Sequence, residues 1–322
     1  ETKDPAPPVE DAHPSEHHGE AFRDAPFEYR WMVAEGDEVQ LDVFLPGVAT
    51  ALELKGELET EVPAEAEIAG RRALLAFHIA RYLGGYEALN ARRWAPLRQA
   101  IQRDLALIGS RKQAEGALLD LGSSLPSPTL TGYALDSMSA ARFVEIEVPV
   151  GYMEAAGSFI LTNLDSKGLV NVDDPAWLKG EERSRRLALT ALLYRILAEA
   201  GPGTMPLEMQ ERFRVMRQTV ERSINLSSDP LTLANAGLGS IAYADKFLGE
   251  QIAGSKARRV LRRILEEQQD GHWKPTWSDS PTGTIMATAA CLELVALLNP
   301  DAVIPIREDA LRALRVARQP VS

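Results

Sequence analysis

The chain alternates two kinds of helical stretch. The segment Ala257 to Leu298 shows this most plainly: a charged amphipathic helix, then an abrupt loop holding Gln268, Gln269, Asp270, Gly271 and Trp273, then a nearly uncharged run of Ala, Thr, Met, Cys and Leu. A helix with one apolar stripe faces solvent on its other side, whereas a helix apolar all round is buried. The pair therefore predicts two layers, an outer amphipathic helix and an inner one.

The same unit recurs along the chain. The stretch from Tyr86 to Ile108, with Trp94, Leu97, Ile101, Leu105 and Ile108 on one stripe, breaks at Gly109 to Gly116 and leads through a Ser/Pro-rich loop to Thr129-Leu130-Thr131-Gly132-Tyr133-Ala134-Leu135. Tyr152 to Leu164, a Lys167-Gly168 break and a loop through Trp177 lead to Leu187-Ala188-Leu189-Thr190-Ala191-Leu192-Leu193. Met209 to Ile224 and the loop Ser227-Ser228-Asp229-Pro230 lead to Leu231-Thr232-Leu233-Ala234-Asn235-Ala236-Gly237. Inner helices thus start near 129, 186, 231 and 284, roughly 45 to 60 residues apart. Hairpins repeated at such a period stack side by side, because none buries its apolar face alone.

Ahead of these repeats the pattern changes twice. Residues 1–21 are acidic, Pro-rich and nearly free of large apolar side chains, which reads as an extended tether. His13, His17 and His18 lie on this arm, where three histidines lack the preorganised geometry a metal needs. Residues 22–48 alternate apolar and polar positions around Glu35-Gly36-Asp37, predicting a short β-hairpin or pair of strands that ends at Pro46-Gly47. From residue 49 the signals are helical. Pro63 with Glu65 and Glu67 suits a helix N-terminus, and Gly84-Gly85 stops the helix that carries Ile68, Leu74, Leu75, Phe77, His78 and Ile79. The expected class is mainly α: an α/α toroid of five to six hairpins over residues 49–322, behind a short N-terminal β element.

Composition narrows the partners. A formal net charge of −11 over 322 residues disfavours nucleic acid or an anionic membrane as the main partner, since the general field is repulsive. Apolar runs such as Thr284 to Leu298 fall short of the roughly 20 residues that cross a bilayer, so no transmembrane segment is expected. The single cysteine, Cys291, excludes an internal disulfide and is read as a core residue, a usage compatible with cytosol or periplasm. A tether at Glu1, in place of an initiating Met, is the pattern left by a cleaved signal peptide or a lipid anchor, so a periplasmic or secreted location is the expectation.

The loop Gln268-Gln269-Asp270-Gly271-His272-Trp273, set between an Arg-rich helix and a small-residue helix, resembles the glutamine–tryptophan repeat of the α/α-toroid superfamily. That superfamily includes terpenoid cyclases, protein prenyltransferase β subunits and the thioester domains of α2-macroglobulin and complement proteins. A degenerate copy lies at Gln113 to Gly116. The cyclase branch would require an Asp-x-Asp-Asp acid, and Asn171-Val172-Asp173-Asp174 lacks its first aspartate. The prenyltransferase branch would require zinc held by Asp, Cys and His, for which only Cys291 and His272 are at hand.

The order of elements is most similar to the macroglobulin branch. Val39-Gln40-Leu41-Asp42-Val43-Phe44-Leu45-Pro46-Gly47 stands where that family has a β segment ending in Leu-Pro, and Pro63 stands at the Pro of its Pro-Tyr-Gly-Cys-x-Glu-Gln thioester motif. Ala66 occupies the Cys position, and no Gln follows. A thioester needs both groups, so the resemblance implies a domain whose acyl-transfer chemistry is gone.

The functional expectation is therefore a non-catalytic, macroglobulin-like protein-interaction or scaffold subunit of an exported complex, with other protein subunits as partners and no cofactor or metal. The contact surface is expected at the ring ends or the Ser/Pro loop, with His272, Trp273, Trp277, Asp279, Ser124 and Pro126 as candidate ligand or partner residues. The alternatives are a terpenoid-cyclase or prenyltransferase-type enzyme, which would need a deep aromatic cavity that a 6% aromatic content supplies thinly, and a toroid that binds a small ligand or glycan.

Overall fold

The computed structural model describes residues 91–110, 116–119, 126–143, 146–148, 150–171, 182–249, 255–268, 272–277, 281–299, 302 and 306. The expected tether, the N-terminal β element, the helix behind Pro63 and the Asp173-Asp174 pair lie outside these residues. Two compact units divide the chain, residues 1–62 with 75–100 and residues 63–74 with 101–322. Of the first, only residues 91–100 are described, as the start of the helix Ala91–Ser110; all the other described elements belong to the second.

The described residues are about 78% helical, with 8 helices and almost no strand. In chain order they are α1 (Ala91–Ser110), α2 (Pro128–Phe143), α3 (Val150–Thr162), α4 (Glu182–Ala200), α5 (Gln210–Ser223), α6 (Pro230–Tyr243), α7 (Ser255–Glu266) and α8 (Pro281–Leu298). Two short strands, β1 (Leu118–Leu119) and β2 (Pro126–Ser127), pair antiparallel just before α2, inside the stretch read as a Ser/Pro-rich loop. A π-helical segment, Ala244–Leu248, prolongs α6 until Gly249 adopts a left-handed conformation.

Two rows result, as the sequence pattern predicts. The helices α2, α4, α6 and α8 pack each against the next, most extensively α4 against α6; α6 and α8 are nearly uncharged, whereas α4 opens on a charged turn, Glu182 to Arg186. Helices α3, α5 and α7 lie on the outside of that row, and each leans chiefly on the inner helix before it rather than the one after it; α5 and α7 are strongly polar on one side, while α3 carries a single charged residue, Glu154. The sequence unit reads outer–loop–inner, yet the packing unit is offset by one helix.

Small residues set the inner spacing. A Cβ on Gly132 would fall 2.3 Å from Leu193 Cδ2, and one on Gly239 would fall 2.7 Å from the Tyr194 ring and 3.1 Å from the Arg195 backbone. Leu135, Leu189, Leu193, Leu233, Cys291 and Leu294 are fully buried between these backbones. Below them Tyr194, Phe213, Tyr243 and Phe247 form a chain of ring contacts with centroids 4.8–6.1 Å apart, and Arg217 lies 4.3 Å over the Tyr243 ring. This cluster ties α4, α5 and the extension of α6 together.

Candidate functional site: a basic groove at the loop ends

Two of the loops that join outer to inner helices, those after α3 and α7, share one bond. In the loop after α3, Asp165 accepts the backbone N–H groups of Lys167 (2.8 Å) and Leu169 (3.0 Å) with one carboxylate oxygen and Arg186 Nη2 (2.6 Å) with the other. Arg186 Nε donates to the Val170 carbonyl at 3.0 Å, while the Val170 N–H donates to Thr190 Oγ1 at 3.0 Å. Gly168 turns the chain at φ +76°, and an added Cβ there would stand 3.0 Å from the Val215 carbonyl oxygen on α5. Thr219 Oγ1 of α5 clamps the Lys167 carbonyl at 2.6 Å.

The loop after α7 repeats one bond of this arrangement: the Trp273 N–H donates to Thr288 Oγ1 at 3.1 Å, as Val170 does to Thr190. Trp273 is fully buried, and its Nε1–H satisfies the Ile264 carbonyl at 2.7 Å, one of the orphan acceptors at the end of α7. Arginines on the outer helices serve the neighbouring helix ends likewise. Arg212 on α5 donates to the Leu161 and Thr162 carbonyls of α3 at 3.0 and 3.1 Å, and Arg263 on α7 donates to the Ile224 and Ser227 carbonyls beyond α5.

These junctions frame an open groove of about 910 Å3 between the loop after α3, the start of α4, the second half of α5 and the start of α6. Asp229, 4% exposed, is its one acidic lining residue among the described residues. It caps α6 through the Thr232 N–H at 2.8 Å, takes the Thr232 hydroxyl as well, and accepts the Thr276 N–H at 3.0 Å. Both oxygens are thereby committed to the fold.

The cations of the groove have no such ties. Lys167, Arg183 and Arg222, drawn from three different elements, are exposed and form no ion pair among the described residues. Other basic side chains of the same region are occupied: Arg186 with Asp165, Arg214 with Glu211, Arg217 and Lys256 with Glu221. Hydroxyl groups of Ser166, Thr219, Ser227 and Thr276 and the 83% exposed Leu226 complete the lining. A chain of net charge −11 thus presents a locally positive, hydroxyl-rich groove.

A second charged cluster has the opposite balance. Arg195 on α4 reaches across α6 to grip Glu293 of α8 with one nitrogen (Nη2 to both carboxylate oxygens, 2.8 and 2.7 Å) and holds Glu199 through Nε at 2.7 Å. The half-buried Asp136 of α2 interacts electrostatically with all three. Burial, then Glu199, raises its carboxyl from 3.8 to about 7; Arg195 opposes this and Glu293 adds to it. One cation and three carboxyl groups thus cluster on three inner helices, and the Arg195–Glu293 pair joins α4 to α8.

The sequence-derived candidates separate. His272 is half-buried in the loop before Trp273, Trp273 has no exposed area, Trp277 is 8% exposed, and Pro126 is half-buried in β2 opposite Leu119. The two indoles are packing that fixes the loops, so the surface expected around them gives way to the groove walls beside them, which Thr276 lines. Ser124, Asp279, Pro63 and Ala66 lie outside the described residues. Cys291 is a core residue: its Sγ approaches the Pro230 carbonyl at 3.6 Å, and burial, with Asp229 adding, pushes its thiol well above the usual range.

Sequence patterning passed over both charged clusters. Two signals were present: Glu293 is the single charged residue of α8, and Asp136 the single acidic residue of α2. No protein-family model matches the chain, and no curated protein matches its sequence.

Proposed function

We propose that this chain is a non-catalytic interaction module: an α/α toroid of helical hairpins, similar to the macroglobulin and complement thioester domain but stripped of thioester chemistry, serving as a scaffold subunit of an exported complex. The observation that carries this reading is the open groove at the loop ends, whose walls are hydrogen-bonded into the fold while its cations form no ion pair among the described residues. The alternation of outer and inner helices supports the toroid, and a buried, unionised Cys291 offers no replacement nucleophile. The test is native purification from the source organism at low and physiological salt, followed by cross-linking through lysines. A one-to-one complex cross-linked at Lys167 supports the reading; a chain that stays monomeric at every salt concentration overturns it.

One observation favours a second reading, an enzyme of the terpenoid-cyclase or prenyltransferase kind. Asp136, with a carboxyl near 7, sits among the inner helices where a proton donor would be needed. Incubation with isoprenoid diphosphates or squalene, read by mass spectrometry, separates the two readings: a converted product that disappears in Asp136→Asn establishes the enzyme.

A further inference from the structure

The interaction reading leaves the partner's chemistry open, and the groove narrows it. Resting on that reading, we infer that the groove binds an acidic, extended segment of a partner protein, whose Asp and Glu side chains meet Lys167, Arg183 and Arg222 while an apolar side chain covers Leu226.

Charge complementarity is the first argument. Three cations from separate elements line the groove without an ion-pair partner among the described residues, and the lining carboxylate of Asp229 already accepts three hydrogen bonds. Arginines left unpaired in a concave surface are suited to carboxylates, whose geometry their guanidinium fork matches.

The rest of the lining favours a peptide over a bare anion. Leu226 is 83% exposed, and Leu169, Leu187 and Val215 line the same groove. Such a surface gains from apolar burial, which phosphate cannot supply. A volume of about 910 Å3 is also of the size that encloses a peptide segment rather than one small ion. Nucleic acid has the right local charge, but its phosphate chain extends past the groove into the field of a molecule with net charge −11. A short acidic segment meets only the local patch.

The groove is also presented rigidly. Thr219 holds the Lys167 carbonyl, Asp165 holds the flanking amides, and Arg222 belongs to α5 itself. Little ordering of the receptor accompanies binding.

The experiment measures fluorescence anisotropy of the full chain with a labelled peptide alternating Glu and Leu. The same peptide with Lys for Glu, single-stranded DNA and inorganic phosphate as competitor complete the set. The expected result is saturable binding of the Glu peptide that weakens with salt, and loss of at least about tenfold in affinity in each of Lys167→Glu, Arg183→Glu and Arg222→Glu. Should a reversal variant fail to keep the wild-type helical spectrum, Lys167→Gln and Arg222→Gln take its place, with a smaller loss expected. Equal binding of the Lys peptide, tighter binding of DNA, full displacement by phosphate at low millimolar concentration, or indifference to all the substitutions overturns the inference. A native partner complex that survives these substitutions defeats the groove assignment and leaves the interaction reading standing. Peptide binding without any native partner does the reverse.

Discussion

The groove and the inner-helix cluster are opposites in how they treat charge. At the loop ends the carboxylates are consumed by caps and turns, Asp229 through backbone N–H groups and a hydroxyl and Asp165 through two backbone N–H groups and Arg186, while Lys167, Arg183 and Arg222 form no ion pair among the described residues. On the inner helices one guanidinium serves Glu199 and Glu293, and carboxylates are left over. Arg195 is 15% exposed and Glu293 45%, so their pair ties α4 to α8 at the rim of the inner row, and removing the arginine leaves the carboxylates uncompensated. Cations that pair with nothing among the described residues are, on the proposed reading, what a ligand meets.

If that contrast is sound, the largest effect comes from the inner cluster. Arg195→Ala leaves Glu199, Glu293 and Asp136 facing one another, and a loss of about 2–3 kcal/mol in stability is expected from urea unfolding. An unchanged midpoint would mean that the three inner helices do not depend on their shared arginine.

Next is the wall of the groove. Gly168 combines a φ of +76° with a Cβ position 3.0–3.1 Å from the backbone of Val215 and Met216. Gly168→Ala is expected to cost about 1–2 kcal/mol and to lower peptide affinity by moving Lys167. Gly116 in the first loop meets the same demand, with φ +85° and the Ala155 backbone 2.3 Å from an added Cβ. A glycine in each loop lets the turn pass close to the next outer helix.

These glycines also measure how much the sequence disclosed. Helix order was legible, most clearly where α5 and α7 carry a 3.6-residue stripe and α6 and α8 almost no charge, less so where α3 is largely apolar and α4 holds six charged residues: the inner starts expected near 129, 186, 231 and 284 are 128, 182, 230 and 281. The loop Gln268 to Trp273 was recognisable by its tryptophan. Its counterpart Asp165 to Val170 was not, since Val170 replaces the aromatic residue and the shared features are a backbone bond to a threonine hydroxyl. The groove was illegible for a different reason. Lys167, Arg183 and Arg222 lie on three elements, and in sequence Arg183 reads only as part of a solvated charge run, Glu181 to Arg186. Glu293 was visible as a lone charge, but that Arg195 would reach it over the small residues of α6 follows only from the packing.

The inner cluster also has a pH signature. The folded state raises the Asp136 carboxyl from 3.8 to about 7, chiefly through burial and then Glu199. The native state therefore holds this proton more tightly than the unfolded chain, so the contribution of Asp136 is full below about pH 4 and lost as pH rises to about 7. Asp136→Asn carries no charge in either state. Its stability relative to the wild type is expected to be level near pH 4 and to rise in its favour through to pH 8. Thermal melts across that range check the sign, and an advantage independent of pH would rule out the titration.

The smallest expected effect is the most direct test of the contrast. Lys167→Ala, Arg183→Ala and Arg222→Ala remove cations that pair with nothing among the described residues, so each is expected to change stability by no more than about 0.5 kcal/mol. Surface charges of a chain at −11 weakly oppose a further loss of positive charge, which sets the direction as slightly destabilising at low salt and null at high salt. A loss of about 2 kcal/mol or more, the size expected for Arg195, would make these side chains part of the fold and remove the reason for their being unpaired. Near-silence in stability together with a large loss in peptide affinity is what a surface kept for a partner requires.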